Sequence, residues 1–306
     1  MRVVFMGTPE VSVSALRALI DSPHDVAAVV TQPDKPRGRG RGVSASPVKL
    51  LAEEHGLPVM QPMSPKDEGF ADALSVFEPQ ALAVVAYGHI LPHAVLAIAP
   101  AMNAHFSLLP RYRGAAPVQR ALMDGVTETG VSVFMLEPTV DTGPVVAVER
   151  VDVAPEETAG ELLERLAPIG ARLLVGALDD LEQGTLGAIR QRDLDASPAP
   201  KIKPEEAEID WTRSARDLAN LVRALNPRPG AFTTAGGKRL IVWRAQPVEG
   251  SGKAGTVLSA GPGLVVATGD GALSLREVQL EGKRALGIDE FMRGRRLETG
   301  RSLSEG

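Results

Sequence analysis

The first 200 residues alternate short, nearly pure apolar runs with stretches whose apolar positions recur every three or four residues. Arg2–Met6 (RVVFM) predicts a buried strand ending in a turn at Gly7-Thr8-Pro9. Val11, Val13, Leu16, Leu19 and Ile20 then stripe a helix that stops before Pro23. Val26–Thr31, Val59–Met60, Ala81–Ala86, Met102–Phe106 and Val131–Leu136 read as further strands, with helices at about Pro47–His55, Lys66–Phe77 and around Arg120–Met123. From Thr158 to Glu182 the period is helical throughout, and Leu162, Leu166, Leu174 and Leu178 fall on its apolar stripe. Strands apolar on both faces and separated by helices predict an open, mostly parallel, Rossmann-like α/β sheet with helices on both faces.

Residues 195–207 (DASPAPKIKPEEA) mix three prolines with alternating charges, the composition of a linker. The expected organisation is therefore a domain over residues 1–195, a linker over 196–207 and a second domain over 208–306. Beyond one helix near Ser214–Leu225, the second domain shows short strands at Arg239–Arg244, Gly255–Leu258, Leu264–Thr268 and Ala272–Val278. Glycine-rich turns separate them at intervals of roughly ten residues, which predicts a small, OB-like antiparallel β-barrel.

Composition narrows the possible chemistry. The 306 residues include no cysteine, which excludes disulfides, thiolate nucleophiles and cysteine-ligated metal centres. The opening MRVVFMGTPE has neither the basic start nor the apolar run of an export signal, so a cytoplasmic protein is expected. The 32 residues between Glu78 and Arg111 carry no charge, yet Pro79, Pro92, Pro100 and Pro110 divide them too finely for a membrane helix. The net charge of −5 hides an asymmetry: residues 1–206 carry −9 and residues 207–306 carry +4. A basic second domain suggests an acidic partner.

Several segments could carry chemistry. Gly7-Thr8-Pro9-Glu10 sits where a dinucleotide-binding turn would lie, but the fingerprint needs three glycines and only one is present. Asn103 and His105, two apart on a strand, project to one face near its carboxyl end, where open α/β sheets bind ligands. An imidazole there can move a proton near neutral pH, and an amide NH₂ can donate to a developing oxyanion. Asp141, at the tip of the turn Val140-Asp141-Thr142-Gly143, could orient the imidazole or merely stabilise its own turn. Residues 34–42 (DKPRGRGRG) place Lys35, Arg37, Arg39 and Arg41 among glycines, a loop able to follow a phosphate backbone. His89 and His93 are four apart but flank Pro92 and have no nearby carboxylate, so no metal site is expected. His24 and His55 read as surface residues near helix ends.

Taken together, Asn103-x-His105, the following SLLPRYRGAAP and the V-D-T-G turn resemble the folate-dependent formyltransferases. MGTPE at the start, TQPDKPRGRG, AYGHILP at 86–92, KIKPEEAEIDW and LNPRPGAF extend the resemblance to nearly the whole chain. It implies transfer of a formyl group from 10-formyltetrahydrofolate to the α-amino group of methionine on initiator tRNA, chemistry that requires no metal. The lack of an amphipathic coiled coil in the sequence leads us to expect a monomer. The resemblance also implies that Asn103, His105 and Asp141 form the catalytic trio. Ser107, Leu108, Leu109 and Pro110 would bind folate, and Tyr87, Gly88, His89, Ile90, Leu91 and Pro92 would line the pterin pocket. Lys35, Arg37, Arg39 and Arg41 would meet the tRNA. Relatives that formylate a sugar-nucleotide or ribonucleotide amine, or that hydrolyse the formyl donor, share the trio and are the alternatives.

Overall fold

β1 (Arg2–Gly7) buries Val3, Val4, Phe5 and Met6 completely, as a central strand covered on both faces must. It belongs to the first of two units in the computed structural model, which describes residues 1–37, 42–260, 263–293 and 298–303. This unit comprises Met1–Pro117, Glu128–Asp152 and Leu163–Pro200; the second comprises Val118–Thr127, Val153–Leu162 and Lys201–Gly306.

In the first unit β1 is followed by α1 (Val13–Ile20), β2 (Asp25–Val30), the hairpin β3 (Lys35–Arg37) and β4 (Gly42–Ser44), α2 (Pro47–Glu54) and β5 (Val59–Met60). Then come α3 (Phe70–Ser75), β6 (Ala81–Val85), α4 (His93–Leu96) and β7 (Ala101–His105). Past α5 (Pro117–Met123), the sheet finishes with β8 (Glu128–Met135) and β9 (Val145–Asp152). Its order is β5-β2-β1-β6-β7-β8-β9. The first five strands run parallel, while β7–β8 and β8–β9 pair antiparallel. The chain builds outward from β1 through β2 to β5, then returns to lay β6 on the other side of β1. That reversal opens a crevice at the carboxyl ends of the strands.

Local chemistry sets the helix ends. Ser46 accepts a hydrogen bond from the Lys49 amide at 3.1 Å and Pro47 follows at the first helical position, so α2 begins there. The helix expected over Lys66–Phe77 is shorter, because Gly69 at φ +77° breaks the path and only Phe70–Ser75 is helical. The long helix α6 (Ala159–Gln183) forms as expected and accommodates Pro168. His24 is buried, contrary to the expectation. Its Nδ1 accepts from the Met1 amino group at 3.2 Å, and its Nε2 lies 3.2 Å from Asp179. The same amino group lies 2.8 Å from Glu182 and holds that carboxyl below its ordinary range. Among the described residues no helix is long and apolar enough to cross a membrane.

In the second unit α7 (Ala215–Ala224) starts at Ser214, whose hydroxyl accepts from the Asp217 amide at 3.1 Å. Leu218, Leu221 and Val222 of α7 join a core with Leu240, Val242, Leu264, Leu273 and Leu275 of the sheet. The strands are β10 (Ala231–Ala235), β11 (Lys238–Val248), β12 (Val257–Ser259), β13 (Leu264–Ala267), β14 (Ala272–Leu280) and β15 (Ala285–Gly287), before α8 (Ile288–Arg293). They pair antiparallel in the order β10-β11-β14-β13-β12, with β15 also on β14. The ladder ends at β10 and β12 among the described residues, giving a half-barrel.

Candidate active site

Asn103 and His105 leave β7 on one face, as the alternation of a strand requires, and line a cavity of about 480 Å³ beside β6. Val84 and Ala86 at the end of β6, Leu96, Phe106 and Leu136 give it apolar walls. Asp141 and residues Tyr87, Gly88, His89, Ile90 and Leu91 complete its rim, while Ile90 and Val140 stay exposed there. Size and lining fit a small organic ligand with apolar surface and a few polar groups.

Three polar groups converge. His105 is buried; its Nε2 lies 2.8 Å from the Tyr112 carbonyl and its Nδ1 3.7 Å from Asp141 Oδ2. A carbonyl can only accept, so Nε2 carries the hydrogen in this contact. Asp141 Oδ2 also accepts from the Gly114 amide at 2.7 Å. The Asn103 side-chain oxygen is buried without a hydrogen-bond partner among the described residues. A buried, unpaired amide oxygen in a ligand-sized cavity is itself a sign of a missing polar partner.

The backbone around these groups is strained. Ala86 (φ +46°), Tyr112 (φ +61°) and Asp141 (φ +52°) occupy the left-handed region that residues with a Cβ rarely adopt. Gln191 holds the Asp141 turn, its amide donating to the carbonyls of Asp141 at 2.9 Å and Gly143 at 2.7 Å.

Other sequence-predicted residues take different places. Pro92 precedes α4 and does not line the cavity, nor do Ser107, Leu108, Leu109 and Pro110. That loop is instead fastened from behind. The Ser107 hydroxyl donates to the Arg111 carbonyl at 2.6 Å, and Ser132 donates to the Ser107 carbonyl at 2.8 Å while accepting from the Leu109 amide at 3.0 Å. Tyr87 buries its phenol, whose desolvation pushes its pKa up to about 12; its carbonyl accepts from Gln32 at 2.9 Å. In the basic loop, Lys35 donates to Gln32 at 2.7 Å and Arg37 closes β3 opposite Gly42; Arg39 and Arg41 lie outside the described residues. Asp34 anchors the start of that loop through Lys49 at 2.7 Å and Gln61 at 2.7 Å, contacts that hold its carboxyl below the ordinary range. Sequence reasoning misses Gln191, Ser132 and the Tyr112 carbonyl, since none forms a recognisable pattern with the trio along the chain.

The formyl transferase family model matches residues 1–178, and the model of the formyl transferase C-terminal domain matches residues 201–296. The chain belongs to the formyl transferase family. This formyl transferase is 46% identical to methionyl-tRNA formyltransferase of Pelotomaculum thermopropionicum, covering all of this chain and 99% of the relative. Among solved structures, methionyl-tRNA formyltransferase from Clostridium thermocellum superposes with a TM-score of 0.59 at 19% identity, over 80% of this chain and 93% of the other. HypX from Aquifex aeolicus in complex with tetrahydrofolic acid superposes with a TM-score of 0.68 at 18% identity. That match covers 95% of this formyl transferase but only 47% of HypX, and both structural matches speak to fold alone.

Proposed function

We propose that this formyl transferase moves the formyl group of 10-formyltetrahydrofolate onto the α-amino group of methionine carried by initiator tRNA. One observation carries the reading: Asn103, His105 and Asp141 meet at one ligand-sized cavity in a chain that matches methionyl-tRNA formyltransferases from end to end.

The residues account for the chemistry. The folate supplies a formyl carbon bonded to its N10, and the neutral amine of methionine forms the new C–N bond. Negative charge then develops on the formyl oxygen. The Asn103 amide donates to that oxygen, the kind of contact worth roughly 10²–10³ in rate. His105 keeps its Nε2 hydrogen on the Tyr112 carbonyl, so Nδ1 is the nitrogen that takes the proton leaving the amine and returns one to N10 as the C–N10 bond breaks. Asp141 lies beside Nδ1 and stabilises the ring while it carries the extra proton.

The test supplies purified protein with 10-formyltetrahydrofolate and, separately, methionylated initiator tRNA, free methionine or a sugar-nucleotide amine. Formylated product with the charged tRNA alone is the expected result. Formate released without any acceptor, or product with the sugar nucleotide, would assign the cavity to a hydrolase or to a different transferase.

A further inference from the structure

Residues 197–199, which composition marks as linker, are bonded into the wall of the active site. The Ser197 hydroxyl accepts a hydrogen bond from the Tyr112 amide at 2.9 Å. The Ser197 carbonyl accepts from the Arg113 amide at 2.9 Å, and the Ala199 amide donates to the Arg113 carbonyl at 2.6 Å. The Ala199 carbonyl in turn accepts from the Ala116 amide at 3.1 Å. The strap therefore runs beside residues 112–116 as a short strand partner, with Arg113 bridged to Pro198 in parallel.

The two faces of one residue connect this strap to the chemistry. Tyr112 sits at φ +61°, a conformation its side chain disfavours and its surroundings must impose. In that conformation its amide meets Ser197 while its carbonyl meets His105 Nε2 at 2.8 Å. If the amide lost its acceptor, Tyr112 could relax to an ordinary conformation and its carbonyl would swing off the ring. The imidazole would then be free to carry its hydrogen on either nitrogen, and only one tautomer leaves Nδ1 open to exchange a proton. Ser197 itself is not among the residues that line the cavity.

We propose that Ser197 is a positioning residue for the transfer. By holding Tyr112 left-handed it fixes the hydrogen on His105 Nε2 and keeps Nδ1 available to the reacting nitrogens. The proposal rests on His105 as the proton-exchanging group in the function stated above, and its test is built to separate the two.

Ser197→Ala and Ser197→Thr in the full chain are compared by steady-state formylation of methionylated initiator tRNA. The ¹⁵N resonances of the His105 ring are compared in the substrate-free proteins. The alanine variant is expected to lower kcat by about tenfold or more, the scale of a displaced catalytic group, with KM for tRNA and folate within about twofold. His105 is expected to pass from a single Nε2-protonated pattern to a tautomer mixture, and threonine, which keeps the hydroxyl, restores both readouts. Ring resonances unchanged in Ser197→Ala overturn the proposal, as does a kcat loss that threonine fails to restore or that comes with an equal rise in KM. Because the resonances need no substrate, a wild-type protein inactive on methionyl-tRNA overturns the function alone.

Discussion

Asn103, His105 and Asp141 all line the cavity and have different roles in the transfer proposed above, so their removal should separate chemistry from binding. Replacing any one with alanine is expected to lower turnover at least ~10²-fold while the dissociation constant for the folate, read by fluorescence titration, changes far less. A variant with near-normal turnover would remove that residue from the scheme. Gly114 makes a second residue-scale prediction. Its φ is +131°, its amide donates to Asp141, and a Cβ placed there would lie 2.5 Å from the Ala199 carbonyl. Gly114→Ala is thus expected to destabilise the fold by about 1–3 kcal/mol in denaturant titration and to depress activity as the Asp141 contact opens. At this scale the sequence shows only what side chains announce. Asn103 and His105 are legible because two-residue spacing on a strand gives them one face, and Asp141 because a carboxylate tips a tight turn. Tyr112 is not legible, since its contribution is a carbonyl rather than a side chain. Nor is Ser197, which lies 85 residues from the amide it caps.

Among elements, apolar strands and well-capped helices follow the pattern closely. β1, β2, β6 and β7 bury nearly every side chain, so their composition marks them without help from neighbours. β9 escapes the pattern because it is an edge strand: Glu149, Arg150 and Asp152 interrupt its valines, and it borrows its order from pairing with β8. The half-barrel is legible as strands and turns but not as an open ladder, because closure depends on long-range pairing. A short 3₁₀ turn in the second unit, Pro204–Ala207, carries a pH prediction. There Glu206 accepts from Arg120 at 2.6 Å and from the Lys203 amide at 2.8 Å, and these contacts, the arginine foremost, lower its pKa to about 2. A carboxyl whose folded pKa lies below its unfolded value stabilises the fold above that value. The contribution is therefore complete above about pH 4.5 and fades as pH falls through about 2. Glu206→Gln should lower the melting temperature near pH 7 and narrow the gap from wild type as the pH approaches 2. A constant gap across that range would mean the pair contributes no charge-dependent stability.

For the molecule as a whole, charge is distributed in a way that suits a polyanionic substrate: the chain is acidic overall, yet residues 207–306 carry +4 and four cations cluster within residues 35–41. Neutralising Lys35, Arg37, Arg39 and Arg41 together is expected to raise KM for methionylated tRNA. It should also flatten the dependence of log(kcat/KM) on log salt, by roughly one unit of slope for each phosphate left without its cation. An unaltered response to salt would make this loop an ordinary solvated surface.

The course of the chain between the two units has a further consequence. It passes from one to the other five times, at residues 117–118, 127–128, 152–153, 162–163 and 200–201, so no single scission yields two whole pieces. A gene split after residue 200 would strand Arg120 from Glu206, and the Gly160 amide from the Asn226 carbonyl that accepts from it at 3.0 Å. The C-terminal product would lack two of its own stitches and the N-terminal product would trail them as loose thread. Co-expression of both fragments, rather than isolation of either, is the arrangement in which a bisected polypeptide could regain its native partners.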